Sequence, residues 1–292
     1  RYYNEQRRAV YNDNRDISRY GCRYKISLAV NADFDKKAGA NFFRDQIDMK
    51  ETDLDKVKAM AKVFLEIEIG ETEMTPAIVQ HPFTNSGFYP CRSDDGNLRI
   101  IDITTSQGFD EWKKIMRERI DSITSIGELF LYVNKPYSMT FLKYVQHYLS
   151  PQDYAETLAE CWIREEQPNM NPSITKTELT DMFKRADKEF LMSKKEYKKW
   201  QDLPEKLMIY RGVTEYNGKN IRALSWTTNY DTAKWFAGRY GEKGKVYQAE
   251  INKKHILACI DQRGESEIIV EPKYLKDIEM VEDLSLTMTI QQ

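Results

Sequence analysis

The helical periodicity of this chain stops at Asp202-Leu203-Pro204. Because a proline disfavours the helical region for the residue before it, we expect the preceding helix to end at Leu203. The chain beyond Pro204 carries short apolar runs bounded by polar residues and glycine, which is the pattern of strands. The predicted strands are residues 208–210, 222–225, 245–251, 256–260 and 267–270. This change from helix to strand indicates an α+β protein whose strand-rich domain spans residues 205–292.

One helix is predicted between these strands. Asn229 is suited to cap it, and Asp231 in the first turn complements the positive end of the helix dipole. Its apolar face carries Ala233 and Phe236-Ala237, and Gly241 is the residue expected to end it.

Residues 136–204 are predicted to form a helical block. Ser150-Pro151 starts one helix, because serine caps well and proline is tolerated in the first turn. The pairs Thr175/Glu178 and Ser193/Glu196 have the spacing of capping boxes and start two more. We interpret Trp162 and Trp200 as core residues of this block rather than as ligand platforms.

A small α+β region is predicted for residues 57–135. Residues 63–70 alternate apolar and polar side chains, which favours a strand, and residues 98–103 and 129–133 are weaker strand candidates. Residues 109–123 have apolar side chains at helical spacing. No catalytic cluster is visible in this region.

The first 56 residues form a basic, tyrosine-rich segment, most clearly in residues 1–25. A basic aromatic arm could stack on bases and pair with phosphates. A solvated helix whose tyrosines pack on the next domain explains the same pattern, and we favour this second interpretation.

The composition is that of a soluble protein without a strong electrostatic preference. A net charge of −2 gives no general attraction to nucleic acid or membranes, and no apolar run is long enough to span a bilayer. The four cysteines are scattered without a C-x-x-C motif, so we expect reduced thiols, no metal site and a cytoplasmic location.

Three short motifs follow one another in the strand-rich domain: Tyr210-Arg211-Gly212, Ser225-Trp226-Thr227 and Glu265-Ser266-Glu267. Each alone fits an ordinary role, such as a salt-bridged arginine or solvated glutamates at a strand edge. Together, and in this order, they resemble the arginine, Ser-Thr-Ser and Glu-x-Glu signature of the mono-ADP-ribosyltransferases, including toxin-like and phage-associated members. The resemblance covers residues 205 to about 283. It implies a core of two packed antiparallel sheets that enclose a cleft.

The second motif departs from the family pattern at two positions. Trp226 replaces the middle threonine, and Thr227 replaces the last serine but keeps a hydroxyl group. Because side chains alternate along a strand, Trp226 should point away from Ser225 and into the core.

The resemblance implies that the protein cleaves NAD, its co-substrate, at the bond between nicotinamide and ribose. Glu267 would be the catalytic carboxylate, and Glu265 would orient and deprotonate an arginine acceptor. The NAD-binding residues implied by the motifs and the following loop are Arg211, Tyr210, Gly212, Ser225, Thr227 and Tyr240.

The chemistry is compatible with these residue types. Cleavage of the glycosidic bond passes through an oxocarbenium-like transition state, which a neighbouring carboxylate stabilises. The planar guanidinium of Arg211 suits bidentate contact with phosphate, and Gly212 would let the ligand approach the backbone. If the strand extended back to Glu265, both glutamates would point to one face.

The acceptor stays open at the level of sequence. Glu-x-Glu favours a protein arginine, while RNA or DNA is a second acceptor class, and an antitoxin or regulatory protein is a further candidate partner. The same core could act mainly as an NAD glycohydrolase, or could have become a non-catalytic interaction module.

Overall fold

The computed structural model describes residues 51–93, 95–241 and 243–285. These residues form two compact units, the first ending at Ile174 and the second starting at Thr175. The basic, tyrosine-rich segment predicted for residues 1–56 lies outside the described residues, apart from positions 51–56. The α+β class predicted from the sequence is confirmed, because each unit contains both helices and strands.

The first unit, in its described part, is mainly helical. Its helices are α1 (Leu54–Leu65), α2 (Ser106–Ser122), α3 (Ile126–Tyr132), α4 (Ser138–Val145) and α5 (Pro151–Arg164). Two short antiparallel pairs of strands accompany them, β1 (Gly70–Glu71) with β2 (Val79–Gln80), and β3 (Phe88–Arg92) with β4 (Leu98–Asp102). The helix predicted for residues 109–123 and the strand predicted for residues 98–103 are confirmed.

Two strand predictions in the first unit are wrong. Residues 63–70 begin as the last turn of α1, whose buried face includes Val57, Phe64 and Leu65, while Val63 is 45% exposed. Residues 129–133 lie in and just after α3, which Ser125 caps. In both places a short apolar run fits the strand pattern. The first apolar residues of each run belong to a helix that begins further upstream.

The helices of the first unit pack through aromatic side chains. The rings of Phe64 and Phe141 meet edge to face with centroids 5.1 Å apart. Trp162 is 2% exposed, so its interpretation as a core residue is confirmed. The predicted start of α5 is confirmed as well, because Ser150 Oγ accepts a hydrogen bond from Asp153 N.

The second unit begins with three helices that precede its sheet. They are α6 (Lys176–Arg185), α7 (Lys188–Leu191) and α8 (Lys194–Gln201). Both predicted capping boxes, Thr175/Glu178 and Ser193/Glu196, are present. These helices therefore belong to the same compact unit as the strands that follow residue 204.

Six strands form one antiparallel sheet in the order β10-β7-β5-β6-β9-β8. The strands are β5 (Lys206–Val213), β6 (Ser225–Thr227), β7 (Lys245–Asn252), β8 (Ile256–Ile260), β9 (Glu267–Val270) and β10 (Lys276–Asp283). β5 and β6 meet at a single residue pair, Tyr210 with Thr227. The sheet therefore consists of two three-stranded halves joined at this pair, whereas the resemblance implied two packed sheets.

The strand predictions in this unit were accurate where the strands are apolar. β8 and β9 have the predicted limits, and β5 and β7 contain their predicted segments. The strand predicted for residues 222–225 instead starts at Ser225. β10 was missed because its charged sequence and its register irregularities hide the strand pattern.

Helix α9 (Tyr230–Ala237) packs on the sheet next to β5. Asn229 Oδ1 accepts a hydrogen bond from Thr232 N and caps it as predicted. The helix ends at Gly238, three residues before the predicted Gly241, which lies in a following 3₁₀ turn with φ of 76°. None of the helices in the described ranges is both long and apolar enough to cross a lipid bilayer.

Candidate active site

Three neighbouring strands bring the central residues of the three motifs together. Arg211 lies on β5, Ser225 is the first residue of β6, and Glu267 is the first residue of β9. Ser225 Oγ donates a short hydrogen bond to Glu267 Oε1, and Arg211 Nη1 donates one of 2.6 Å to the Ser225 carbonyl oxygen. Ser225 therefore links the arginine to the carboxylate.

The register of β6 and β9 explains the contact between Ser225 and Glu267. β6 pairs with β5 on one side and with β9 on the other, and Thr227 lies opposite both Tyr210 and Glu267. Because side chains alternate, Ser225 and Thr227 share a face with Glu267. Trp226 points to the other face and is 2% exposed, which confirms its predicted place in the core.

The Arg211 guanidinium is held in a setting that favours an anionic ligand. Burial lowers the pKa of Arg211 to about 10, while the negative charge of Glu267 raises it. The side chain is thus still a cation at neutral pH. Its Nε atom is buried and has no hydrogen-bond partner among the described residues. A buried donor without a partner costs about 1–3 kcal/mol, and a ligand oxygen would remove that cost.

Two further cations, Lys176 and Arg222, belong to the surroundings of Arg211. The charges of Arg211 and Arg222 act on Lys176, whose pKa is lowered first by burial and then by these two neighbours. The Lys176 ammonium group donates to the Arg222 carbonyl oxygen at 2.5 Å. Lys176 opens α6 and carried no motif, so reasoning from sequence did not find it. Lys176 is therefore a further cation close enough to Arg211 for their charges to interact.

Thr227 contacts the chain just before Glu267. Its hydroxyl donates to the carbonyl oxygens of Glu265 at 2.8 Å and Ser266 at 3.3 Å, and accepts from Asn229 N at 3.0 Å. The resemblance placed this hydroxyl among the NAD-binding groups. In the structure it holds the backbone that carries Glu265.

The segment before β9, residues 261–266, forms an ordered loop that we call the 261–266 loop. Ser266 has φ of 48°, so the strand does not extend back to Glu265. The condition under which both glutamates would share a strand face is therefore not met, because the left-handed residue between them breaks the alternation. Gly264 has φ of 69°, and its amide donates to the Asp261 carbonyl oxygen, so the chain bends there.

Tyr210 and Gly212 support the packing of α9. Tyr210 packs edge to face on Tyr230 with ring centroids 5.5 Å apart. A Cβ atom on Gly212 would lie 2.0 Å from the Ala233 carbonyl oxygen and 2.6 Å from Ala237 N. Gly212 was expected to let a ligand approach the backbone, but in the structure the close approach is made by the helix.

The remaining sequence predictions concern Tyr240, metal binding and the cysteines. The side chain of Tyr240 lies outside what the structure describes, although its backbone is part of the 3₁₀ turn at residues 239–241. Within the described ranges, no three His, Cys, Asp or Glu side chains are grouped so that they could bind a metal ion. Cys91, Cys161 and Cys259 are free thiols, and Cys22 is not described.

Comparison of this chain with protein-family models, with curated proteins and with solved structures found no significant match.

Proposed function

We propose that the second unit is an NAD-dependent mono-ADP-ribosyltransferase. It would cleave the bond between nicotinamide and ribose and transfer ADP-ribose to an acceptor, with a protein arginine as the favoured class. The observation that carries this proposal is the linked set of Arg211, Ser225 and Glu267, which come from three strands and from distant parts of the sequence.

Each member of this set has a role in the proposed reaction. Glu267 would lie beside the ribose carbon and stabilise the positive charge that develops as the bond breaks. Ser225 would hold the carboxylate in one orientation through its hydrogen bond. Arg211, whose Nε has no hydrogen-bond partner within the described part of the chain, would bind the pyrophosphate.

The electrons and protons of the reaction balance without another cofactor. The bonding pair of the glycosidic bond leaves with nicotinamide, which departs as a neutral molecule. A guanidine nitrogen of the acceptor then forms the new bond to the ribose carbon and loses a proton. Glu265 would take that proton, since it lies on the loop directly before Glu267.

Measurement of nicotinamide release and of label transfer from NAD to host lysate tests this proposal. We expect both signals from the native protein and a loss of about 10²–10³ or more in both from Glu267→Gln. Label on RNA or DNA rather than on protein would replace the acceptor class, and nicotinamide release without any transfer would indicate a glycohydrolase. No nicotinamide release at all would refute the proposal and favour a non-catalytic module.

A further inference from the structure

Helix α8 is attached to the sheet at both ends of the edge strand β8. Trp200 Nε1 donates to the Ile256 carbonyl oxygen at 3.0 Å, at the start of that strand. Asp261 N, just after the strand, donates to Glu196 Oε1 at 2.6 Å. The other oxygen of Glu196 closes the capping box with Ser193, so this 5% exposed carboxylate holds the helix and the loop together.

Lys199 on the same helix reaches the loop at two points. Its Nζ atom lies 3.4 Å from Asp261 Oδ2 and 3.4 Å from Ser266 Oγ. Asp261 Oδ1 in turn accepts from Ser266 N at 2.8 Å. The first and last residues of the 261–266 loop are therefore joined to each other and to α8.

Ser266 is held from the opposite side by β6 and the residue that follows it. Its carbonyl oxygen accepts from Thr228 N at 3.2 Å and from Thr227 Oγ1 at 3.3 Å. A non-glycine residue at positive φ persists where the surroundings fix it in place. Gln262, Arg263 and Gly264 are exposed in the middle of the loop, so they face solvent while both ends are fixed.

We propose that α8 is a brace for the 261–266 loop, and that Glu196 and Lys199 are positioning residues for the acceptor side of the reaction. This inference rests on the proposed function. The brace sets where Glu265 lies relative to Glu267, and a guanidine must be within hydrogen-bond reach of its base before it can attack.

The brace should affect transfer and not bond cleavage. Glu267 belongs to β9, which pairs with β6 and β8 on its two sides, so the sheet holds it without help from α8. Glu265 lies outside the strand, and its placement depends on the 261–266 loop together with the hydrogen bond from Thr227 Oγ1 to its carbonyl oxygen. Loosening the loop therefore leaves NAD hydrolysis in place and removes the alignment of the acceptor.

The test compares Lys199→Met with Lys198→Met. Lys198 is on the same helix, is 77% exposed and pairs with Asp202, so its loss changes the charge without touching the loop. We expect amide hydrogen exchange at Ser266 to become about 2- to 10-fold faster in Lys199→Met only. We also expect transfer to an arginine-containing peptide to fall about 10-fold or more, with NAD hydrolysis changed less than about 2-fold.

A second pair of variants separates the loop contact from helix capping. Glu196→Ala and Glu178→Ala each remove the carboxylate of a capping box, and only Glu196 accepts from Asp261 N. Faster exchange in the 261–266 loop is expected for Glu196→Ala alone, after thermal unfolding has shown that both variants are folded.

The two proposals fail in different ways. Unchanged loop exchange in Lys199→Met would overturn the brace, whatever the activity. An equal loss of hydrolysis and transfer would also overturn it, because the loop would then be positioning Glu267. If the native protein releases no nicotinamide, the proposed function falls, and the exchange experiment still decides whether α8 holds the loop.

Discussion

Replacement of Glu267 by glutamine is the sharpest test of the catalytic assignment. Glutamine has the same shape, and its Oε1 can still accept the hydrogen bond from Ser225 Oγ, so the contact between β6 and β9 is retained. The substitution removes only the negative charge. Its effect on the reaction should therefore report the electrostatic role of the carboxylate.

The size of the effect follows from the charge that is lost. Removing a single preorganised electrostatic group in an enzyme lowers kcat by about 10²–10³, or about 2.7–4 kcal/mol. A pair of unit charges about 4 Å apart at an effective dielectric constant of about 20 interacts by about 4 kcal/mol, which agrees with this range. We thus expect nicotinamide release to fall by about 10²–10³ or more.

The loss would not come indirectly from Arg211. Glu267 raises the pKa of Arg211, which nevertheless stays at about 10 because burial lowers it more. Removal of Glu267 would lower the pKa of Arg211, but a guanidinium keeps its proton at neutral pH in proteins. The affinity for NAD should therefore change little in Glu267→Gln, while the rate of bond cleavage changes greatly.

Glu265→Gln is the matched comparison, since it is the same substitution two residues away. It should abolish transfer to arginine and leave slow NAD hydrolysis, because Glu265 acts only on the acceptor. Nicotinamide release and label transfer are measured for both variants, with NAD affinity from calorimetry and circular dichroism as the check on folding. Full hydrolysis by a folded Glu267→Gln protein would refute the catalytic assignment. Normal transfer by Glu265→Gln would instead point to an acceptor other than arginine.

Three further predictions concern binding and stability. Arg211→Lys should weaken NAD binding by about 1.5–3 kcal/mol in calorimetry through loss of a bidentate contact, and an unchanged affinity would make Arg211 structural. Gly212→Ala should lower the free energy of unfolding in urea by about 1–3 kcal/mol, because its Cβ would clash with α9. Gly218→Ala should be neutral, because no atom of the described residues lies within 4 Å of its added Cβ, and equal urea midpoints for the two variants would contradict the prediction. Burial raises the pKa of Glu165 to about 7 despite hydrogen bonds from Met139 N and Asn171. The native state therefore keeps a proton on Glu165 at pH values where the unfolded chain has already lost it. The free energy of unfolding should therefore fall by roughly 3 kcal/mol between pH 4.5 and 7, and Glu165→Gln should remove this part of the pH dependence.

Much of the local structure could be predicted because its causes are local. The capping boxes at Thr175 and Ser193 satisfy backbone groups within one turn of helix, so four residues suffice to predict where a helix starts. β8 and β9 are short apolar segments bounded by polar residues, and their limits were correct. The failures at residues 63–70 and 129–133 occurred where a few apolar residues fit a strand and a helix equally well.

Several roles within the site depended on neighbours that the sequence does not indicate. Gly212 looked like a residue that makes room for a ligand, but the nearby atoms belong to α9. Thr227 looked like a ligand-binding hydroxyl, but its partners are backbone carbonyl oxygens of the 261–266 loop. The sequence shows that a glycine or a hydroxyl group stands at each position. Only the packing shows whether a ligand or another part of the chain contacts it.

The sequence by itself determined which chemical groups are present and the order in which they occur along the chain. It also determined most helix starts and the apolar strands, since these depend on contacts within a few residues. Only the tertiary structure decided that Ser225 contacts both Arg211 and Glu267, which are 14 and 42 residues away from it. That contact exists because β6 pairs with β5 at one residue and with β9 at three, and such pairings between distant segments depend on packing that no local pattern encodes.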